Sequence, residues 1–140
     1  MNAPDDTAEQ IAARLDGLVR RQRRATKVEV GGVTHGRMRV LRTLDHADRP
    51  LRLSELATQL GIVPRSATSV VDDLEAADLV ARHPDPADRR ATLVALTPAG
   101  IDLLTTVRRT RRDAMVTLLD RLTPAEQSTL LRLLNRLADD

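Results

Sequence analysis

The chain has 140 residues, 41% of them hydrophobic and 30% charged, a formal charge of +2, and no Cys, Phe, Tyr or Trp. It is long enough to bury a core as one modest domain or as two small lobes. The missing cysteines exclude a disulfide scaffold, a thiolate zinc site and cysteine-based peroxide sensing, and the missing rings remove the stacking by which RNA and single strands are held.

The first predicted helix opens at Thr7, with Gln10 three residues on as a capping box, and runs to about Arg24. Ala8, Ile11, Ala12, Leu15, Leu18 and Val19 form its apolar stripe, either a core face or, in so short a chain, a subunit interface. Arg20, Arg21, Arg23 and Arg24 follow, placed to favour the helix C-terminus or to meet DNA or a ligand. A connector from Thr26 to Thr34 with a Gly-Gly break comes next. Thr34 then caps a second helix with apolar Met38, Val40, Leu41 and Leu44, flanked by Arg37, Arg39 and Arg42. His35 and His46 at its ends read as surface or capping residues, since no paired His or Cys spacing accompanies them. No metal or cofactor is expected.

After the turn Asp48-Arg49-Pro50, the stretch Leu51-Arg52-Leu53 can add a short strand to a small sheet. Ser54 opens a helix with apolar Leu56, Ala57 and Leu60, its hydroxyl able to accept from the first-turn amides. Gly61 closes that helix, and Pro64, tolerated at a first helical position, opens the next. This is the short turn of a helix-turn-helix. In the second helix Ala67, Val70, Val71 and Leu74 share one face, so Arg65, Ser66, Thr68, Ser69, Asp72 and Asp73 point away from it. The guanidinium and hydroxyls near its start can meet phosphates and base edges. Its second half (Asp72, Asp73, Glu75, Asp78) is acidic and expected to be repelled by DNA, so docking is expected through the N-terminal end.

Leu79 to Arg82 reads as a strand, His83 to Arg90 as a Pro- and Asp-rich turn, and Ala91 to Leu96 as the return strand. A loop displaying Arg89 and Arg90 fits a narrow, negative minor groove. Thr97-Pro98 and Thr123-Pro124 start two further helices, to about Arg121 and to Ala138, the second with a capping box of Thr123 and Glu126. Leu130, Leu131, Leu133, Leu134 and Leu137 lie on more than one side of the last helix, which suggests burial between partners.

The pair Leu56-Ala57 through Gly61, the run Val71-Asp72-Asp73-Leu74-Glu75 with Leu79-Val80, and the stretch Asp85-Pro86-Ala87-Asp88-Arg89-Arg90 closing on Val94-Ala95-Leu96-Thr97-Pro98-Ala99-Gly100 together carry a resemblance. In these residues the chain resembles the MarR-type transcriptional regulators, over essentially its whole length. The family pattern has basic residues at Ser69 and near Asp73 and a glycine at Asp78, and the chain departs from it at those three positions.

The expected fold is mainly α with a small β-wing: a winged helix-turn-helix lobe (34–97) and a helical dimerisation lobe (7–30 and 98–140). The expected function is a homodimeric regulator, a repressor of an inverted-repeat operator in double-stranded DNA, released by a small anionic or phenolic effector. A dimer would set two reading helices about 34 to 36 Å apart. The expected DNA contacts are Ser54, Arg65, Ser66, Thr68, Ser69, Arg89 and Arg90. The resemblance implies that Asp72 or Asp88 pairs with Arg89 or Arg90 to hold the wing, and that the second helix walls an effector pocket with Arg14, His35, Met38, Arg39 and Arg42 as candidates. The alternative is a winged scaffold that binds protein. An enzyme is not expected, because no Gly-rich phosphate loop, His pair or serine with a neighbouring His base is present. No apolar run of about 18 residues exists and the N-terminus is acidic, so a cytoplasmic protein without membrane contact is expected.

Overall fold

A computed structural model of the chain describes residues 3–29 and 32–138. The described elements are α1 (Ala3–Glu29), α2 (His35–Ala47), β1 (Leu51–Arg52), α3 (Leu53–Leu60), α4 (Pro64–Ala76), β2 (Val80–Pro84), β3 (Thr92–Leu96), α5 (Pro98–Leu119) and α6 (Pro124–Ala138). They form two compact units, residues 24–108 and residues 1–23 with 109–140.

In the unit of residues 24–108 the core is wholly aliphatic. Leu41, Leu51, Leu56, Leu74, Val40, Val71, Val80 and Val94 are all but fully buried, and Met38, Leu44, Leu60, Leu104 and Val107 complete the cluster. The apolar spacings of α2, α3 and α4 supply these side chains from three helices, and the antiparallel sheet, in the order β1-β3-β2, closes the cluster with Leu51, Val80 and Val94. Leu51 pairs with Val94, and β2 pairs with β3 from Val80 opposite Leu96 to Pro84 opposite Thr92. The short strand expected before α3 is therefore present. Pro84 stands on an edge strand, where its lack of an N–H costs no ladder bond.

Local signals set most of the boundaries. Thr34 caps α2 by accepting the Arg37 N–H at 3.4 Å. Gly61, at φ +66°, closes α3, and Pro64 opens α4. At the end of α4 the N–H groups of Asp78 and Leu79 return to the carbonyls of Glu75 and Leu74 at 2.9 Å each, a Schellman closure with Asp78 in the left-handed region at φ +58°. That is the position where the resembled pattern has glycine. Thr97 joins this closure to α5. Its hydroxyl donates to the Asp78 carbonyl at 2.5 Å and accepts the Gly100 N–H at 3.1 Å, while its own N–H donates to the Leu79 carbonyl. Gly100 lies so close beneath that carbonyl that a Cβ there would meet the oxygen at 2.1 Å.

Four expected boundaries differ. β2 runs Val80–Pro84, so His83 and Pro84 of the expected turn extend the strand, paired with Leu93 and Thr92 of β3. α1 starts at Ala3, so Thr7 is inside the helix, and Gln10 donates to Asp6 at 2.9 Å instead of reaching back to Thr7 as a cap. Residues 26–29 continue α1 instead of forming a connector, since no glycine or proline interrupts them; Gly31 of the expected break lies outside the described residues. α3 is opened by Glu55, whose carboxylate accepts the Arg52 N–H at 2.9 Å, and Ser54 sits exposed within the first turn instead of capping it.

In the unit of residues 1–23 with 109–140, α6 begins with the expected capping box: Glu126 accepts from the Thr123 N–H and Thr123 from the Glu126 N–H. Gln127 takes up the carbonyls of Leu119 and Leu122, which satisfies the end of α5. Gln22 of α1 donates to the Arg111 carbonyl at 3.2 Å. Ile11, Leu15 and Val19 on α1, Val116 on α5, and Leu131, Leu133, Leu134 and Leu137 on α6 are exposed, Leu137 to 78%.

Candidate nucleic-acid interface

The exposed side of α4 is built as its periodicity requires. Ala67, Val71 and Leu74 are buried, and Arg65, Ser66 and Ser69 stand exposed on the opposite side. Thr68 is half-buried, and its hydroxyl donates to the Pro64 carbonyl at 3.0 Å, leaving its oxygen as an acceptor. Ser54 is exposed in the first turn of α3. Groups of this kind at a helix start can meet phosphates and base edges.

The wing tip between β2 and β3 is a closed loop organised by Asp85, a buried carboxylate only 7% exposed. Its main chain exchanges bonds with Ala91 and Asp88, one side-chain oxygen accepts the Ala87 N–H at 2.9 Å, and the other accepts from Arg52 at 2.7 Å. The Ala87 bond and the Arg52 guanidinium, against the opposing effect of burial, hold the Asp85 carboxyl below its usual range. Asp88 accepts the Arg90 N–H at 3.0 Å. Arg89 and Arg90 are exposed, and neither guanidinium meets a carboxylate of the described residues.

The expected wing pairs are thus replaced by others. Asp72 pairs with Arg82 at 2.6 Å, not with Arg89 or Arg90, and Asp88 holds the backbone of Arg90, not its side chain. The physical reason is local: Asp88 is occupied in the tip turn, and Arg82 on β2 lies against α4 between Asp72 and Glu75, bridging both. Desolvation opposes the Arg82 charge, but the bonds to Asp72 and Glu75 outweigh it and hold the guanidinium pKa above its ordinary value. Asp73 pairs with Arg37 of α2 at 2.8 Å. Two guanidiniums of the same unit thus stand against three of the four acids of this half and offset part of their charge, which the sequence pattern alone did not reveal.

Arg52, Asp85, Arg82 and Arg37 were not singled out for these roles. Asp85 carried a readable signal, an aspartate opening a Pro-containing turn whose side chain can bond the backbone two residues on. The arginines did not, because their partners are distant in sequence.

Of the effector candidates, Met38 is buried in the core, Arg39 donates to the Leu60 carbonyl at 2.9 Å, and His35 is exposed at the start of α2. Arg42 lines a shallow cleft of about 300 Å³ with Thr43, His46 and Gln59. Arg14 is exposed on α1, in the other unit. Among the described residues no cluster of His, Asp and Glu is placed to hold a metal, and no helix is long and apolar enough to cross a membrane.

Comparison with known proteins agrees with this geometry. The MarR family model matches residues 33–92, which contain α2, the helix-turn-helix and the wing tip. A Thauera aromatica protein named as the transcriptional regulatory protein for the hcr operon is 33% identical over 118 residues, covering 84% of this chain and 70% of that one. The transcriptional repressor NicR of Pseudomonas putida is 28% identical over 143 residues, covering 99% of this chain and 88% of the relative. The crystal structure of the transcriptional regulator Tm0710 from Thermotoga maritima superposes with a TM-score of 0.81 at 27% identity, covering 95% of this chain and 92% of that one.

Proposed function

This chain belongs to the MarR family of DNA-binding transcriptional regulators, and from that premise we propose that it binds an inverted-repeat operator as a homodimer and represses the adjoining gene. It is a regulator, not an enzyme. The observation that carries the operator reading is the wing tip: Arg89 and Arg90 project, without carboxylate partners among the described residues, from a loop that Asp85 and Arg52 hold shut. A pre-ordered loop loses little backbone freedom when it carries two guanidiniums into a minor groove. Arg65, Ser66, Thr68 and Ser69 would read the major groove, and Ser54 would meet a phosphate.

Dimerisation is supported by the exposed leucines of α6 and by Ile11, Leu15 and Val19 of α1, apolar side chains that a second chain would cover. The assignment as a repressor rests on the likeness to NicR. Release by an anionic or phenolic effector is supported by the cleft at Arg42, where a guanidinium, an imidazole, a hydroxyl and an amide converge. The scaffold alternative rests on an acidic reading helix, and Arg37 and Arg82 weaken it by offsetting part of the charge of Asp72, Asp73 and Glu75.

The test is electrophoretic mobility shift with fragments flanking the gene at two salt concentrations, with Arg90→Ala alongside. A salt-sensitive complex of one dimer on an inverted repeat, weakened at least several-fold by the substitution, is the expected result. Binding no tighter than to random duplex, unchanged by Arg90→Ala, would refute the operator reading.

A further inference from the structure

Val63 departs from two ordinary preferences at once. It is the N-cap of α4, with the extended conformation of that position (φ −69°, ψ 148°), yet its side chain makes no capping bond. Ser, Thr, Asp and Asn are strongly preferred there because their oxygens satisfy first-turn amides, and valine is among the poorest choices. It is also a large apolar side chain 63% exposed. Ile62 before it packs on the core, whereas Pro64, Arg65 and Ser66 after it are exposed, so Val63 is an apolar side chain at the edge of an exposed polar run.

The backbone compensates in part. The Val63 carbonyl accepts the N–H groups of Ser66 at 3.0 Å and Ala67 at 3.2 Å, and Pro64 removes one donor that would otherwise need a partner. An isopropyl group is thereby presented at the end of α4 that enters the groove, beside a guanidinium and a hydroxyl. In the major groove the apolar feature presented by the bases is the C5-methyl of thymine.

Resting on the operator-binding reading above, we infer that Val63 is a specificity-determining residue that packs against a thymine methyl in each operator half-site. Arg65 and Ser66 supply hydrogen bonds beside that contact, and the Val63 isopropyl supplies a preference for thymine over cytosine. The poor cap is the stability the helix gives up for it. Places where a local rule fails without evident structural gain are often functional.

The experiment starts from a random-sequence duplex library, from which the full-length wild-type chain selects its sites. Each thymine of the enriched site is then replaced singly by deoxyuridine, which removes only the methyl. Binding is measured for wild type, Val63→Ser and Val63→Ala, with urea unfolding of each chain. One thymine per half-site is expected to cost wild type about 4-fold in affinity when replaced, the worth of one buried methyl. Val63→Ser is expected to be more stable than wild type because it gains a cap, and yet to bind the thymine site more weakly and to ignore the deoxyuridine replacement. An enriched site at which no deoxyuridine weakens wild type, or at which Val63→Ser keeps the same penalty, overturns the contact and leaves operator binding standing. Failure to enrich any site refutes operator binding itself, and the contact with it.

Discussion

Arg82 on β2 reaches Asp72 on α4 at 2.6 Å and engages Glu75 one turn later with its other terminal nitrogen, so one guanidinium joins the wing to the reading helix and is shared by two of that helix's acids. The pair is partly exposed, at 24% for the Arg82 side chain and 60% for Asp72, so its worth to folding is small. Arg82→Gln is expected to lower stability by no more than about 1 kcal/mol. Its effect on DNA should be larger, because two uncompensated carboxylates would then face phosphate. Urea unfolding beside duplex binding separates these, and a variant that binds as tightly as wild type would show that the acids lie away from the DNA.

Acid stability should depend on the tip turn and the two helix starts. The Ala87 N–H and Arg52 lower the Asp85 pKa from its usual 3.8; the Arg49 side chain and the Arg52 N–H lower that of Glu55, and Thr123 that of Glu126, from 4.5. A carboxylate with a depressed native pKa contributes stability above its unfolded pKa and loses it as pH falls through the native value. The urea midpoint is therefore expected to hold from neutrality to near these ordinary values and to fall below them. Asp85→Asn should start lower at neutral pH and lose less on acidification, so that the two curves converge. Parallel curves would remove Asp85 from the acid response.

Gly100→Ala is expected to be among the most damaging single substitutions in the chain. The added Cβ would stand 2.1 Å from the Leu79 carbonyl oxygen, which is backbone held by the Thr97 N–H and cannot swing aside. A loss of about 3 kcal/mol or failure to fold is expected, checked by urea unfolding or soluble yield. A near-neutral result would mean that α5 leaves the wing at a different angle.

Asp78→Gly should move stability the other way. At φ +58° an L-residue is strained, and aspartate is tolerated there because its short polar side chain suits the left-handed region better than most. Removing the Cβ while keeping the Schellman bonds should gain up to about 1 kcal/mol, offset in part by the entropy glycine loses on folding. A lowered melting temperature would indicate that the Asp78 carboxylate contributes to the fold.

Leu137→Glu addresses the subunit interface. The residue is 78% exposed, so the substitution should leave the fold of the chain intact. Sedimentation is expected to shift from dimer to monomer, with operator affinity falling as the second half-site is lost. An unchanged sedimentation coefficient would place the dimer contact elsewhere.

What could be read from the sequence was what is decided within a few residues. Thr34, Gly61 with Pro64, Thr97 with Pro98, and Thr123 with Glu126 each set a boundary through bonds three or four positions apart, and the apolar spacings named the core. β1 was legible from its apolar pattern. The wing's fastening was not, because Arg52 and Asp85 are 33 residues apart and many arginines compete as partners in so arginine-rich a chain. The partial offset of the acidic half of α4 was hidden for the same reason: its counter-charges, Arg37 and Arg82, come from other elements. Val63 gave no signal by type alone, and only its exposure at a capping position makes it noticeable.

The wholly aliphatic core has a practical consequence. With no Phe, Tyr or Trp anywhere in the chain, the protein is dark in the near ultraviolet and in intrinsic fluorescence. A single tryptophan at the position of Arg89 would be the sole emitter, so its quenching on DNA would report wing-tip approach alone, and a second one at Leu137 in a separate variant would report subunit association without any background to subtract.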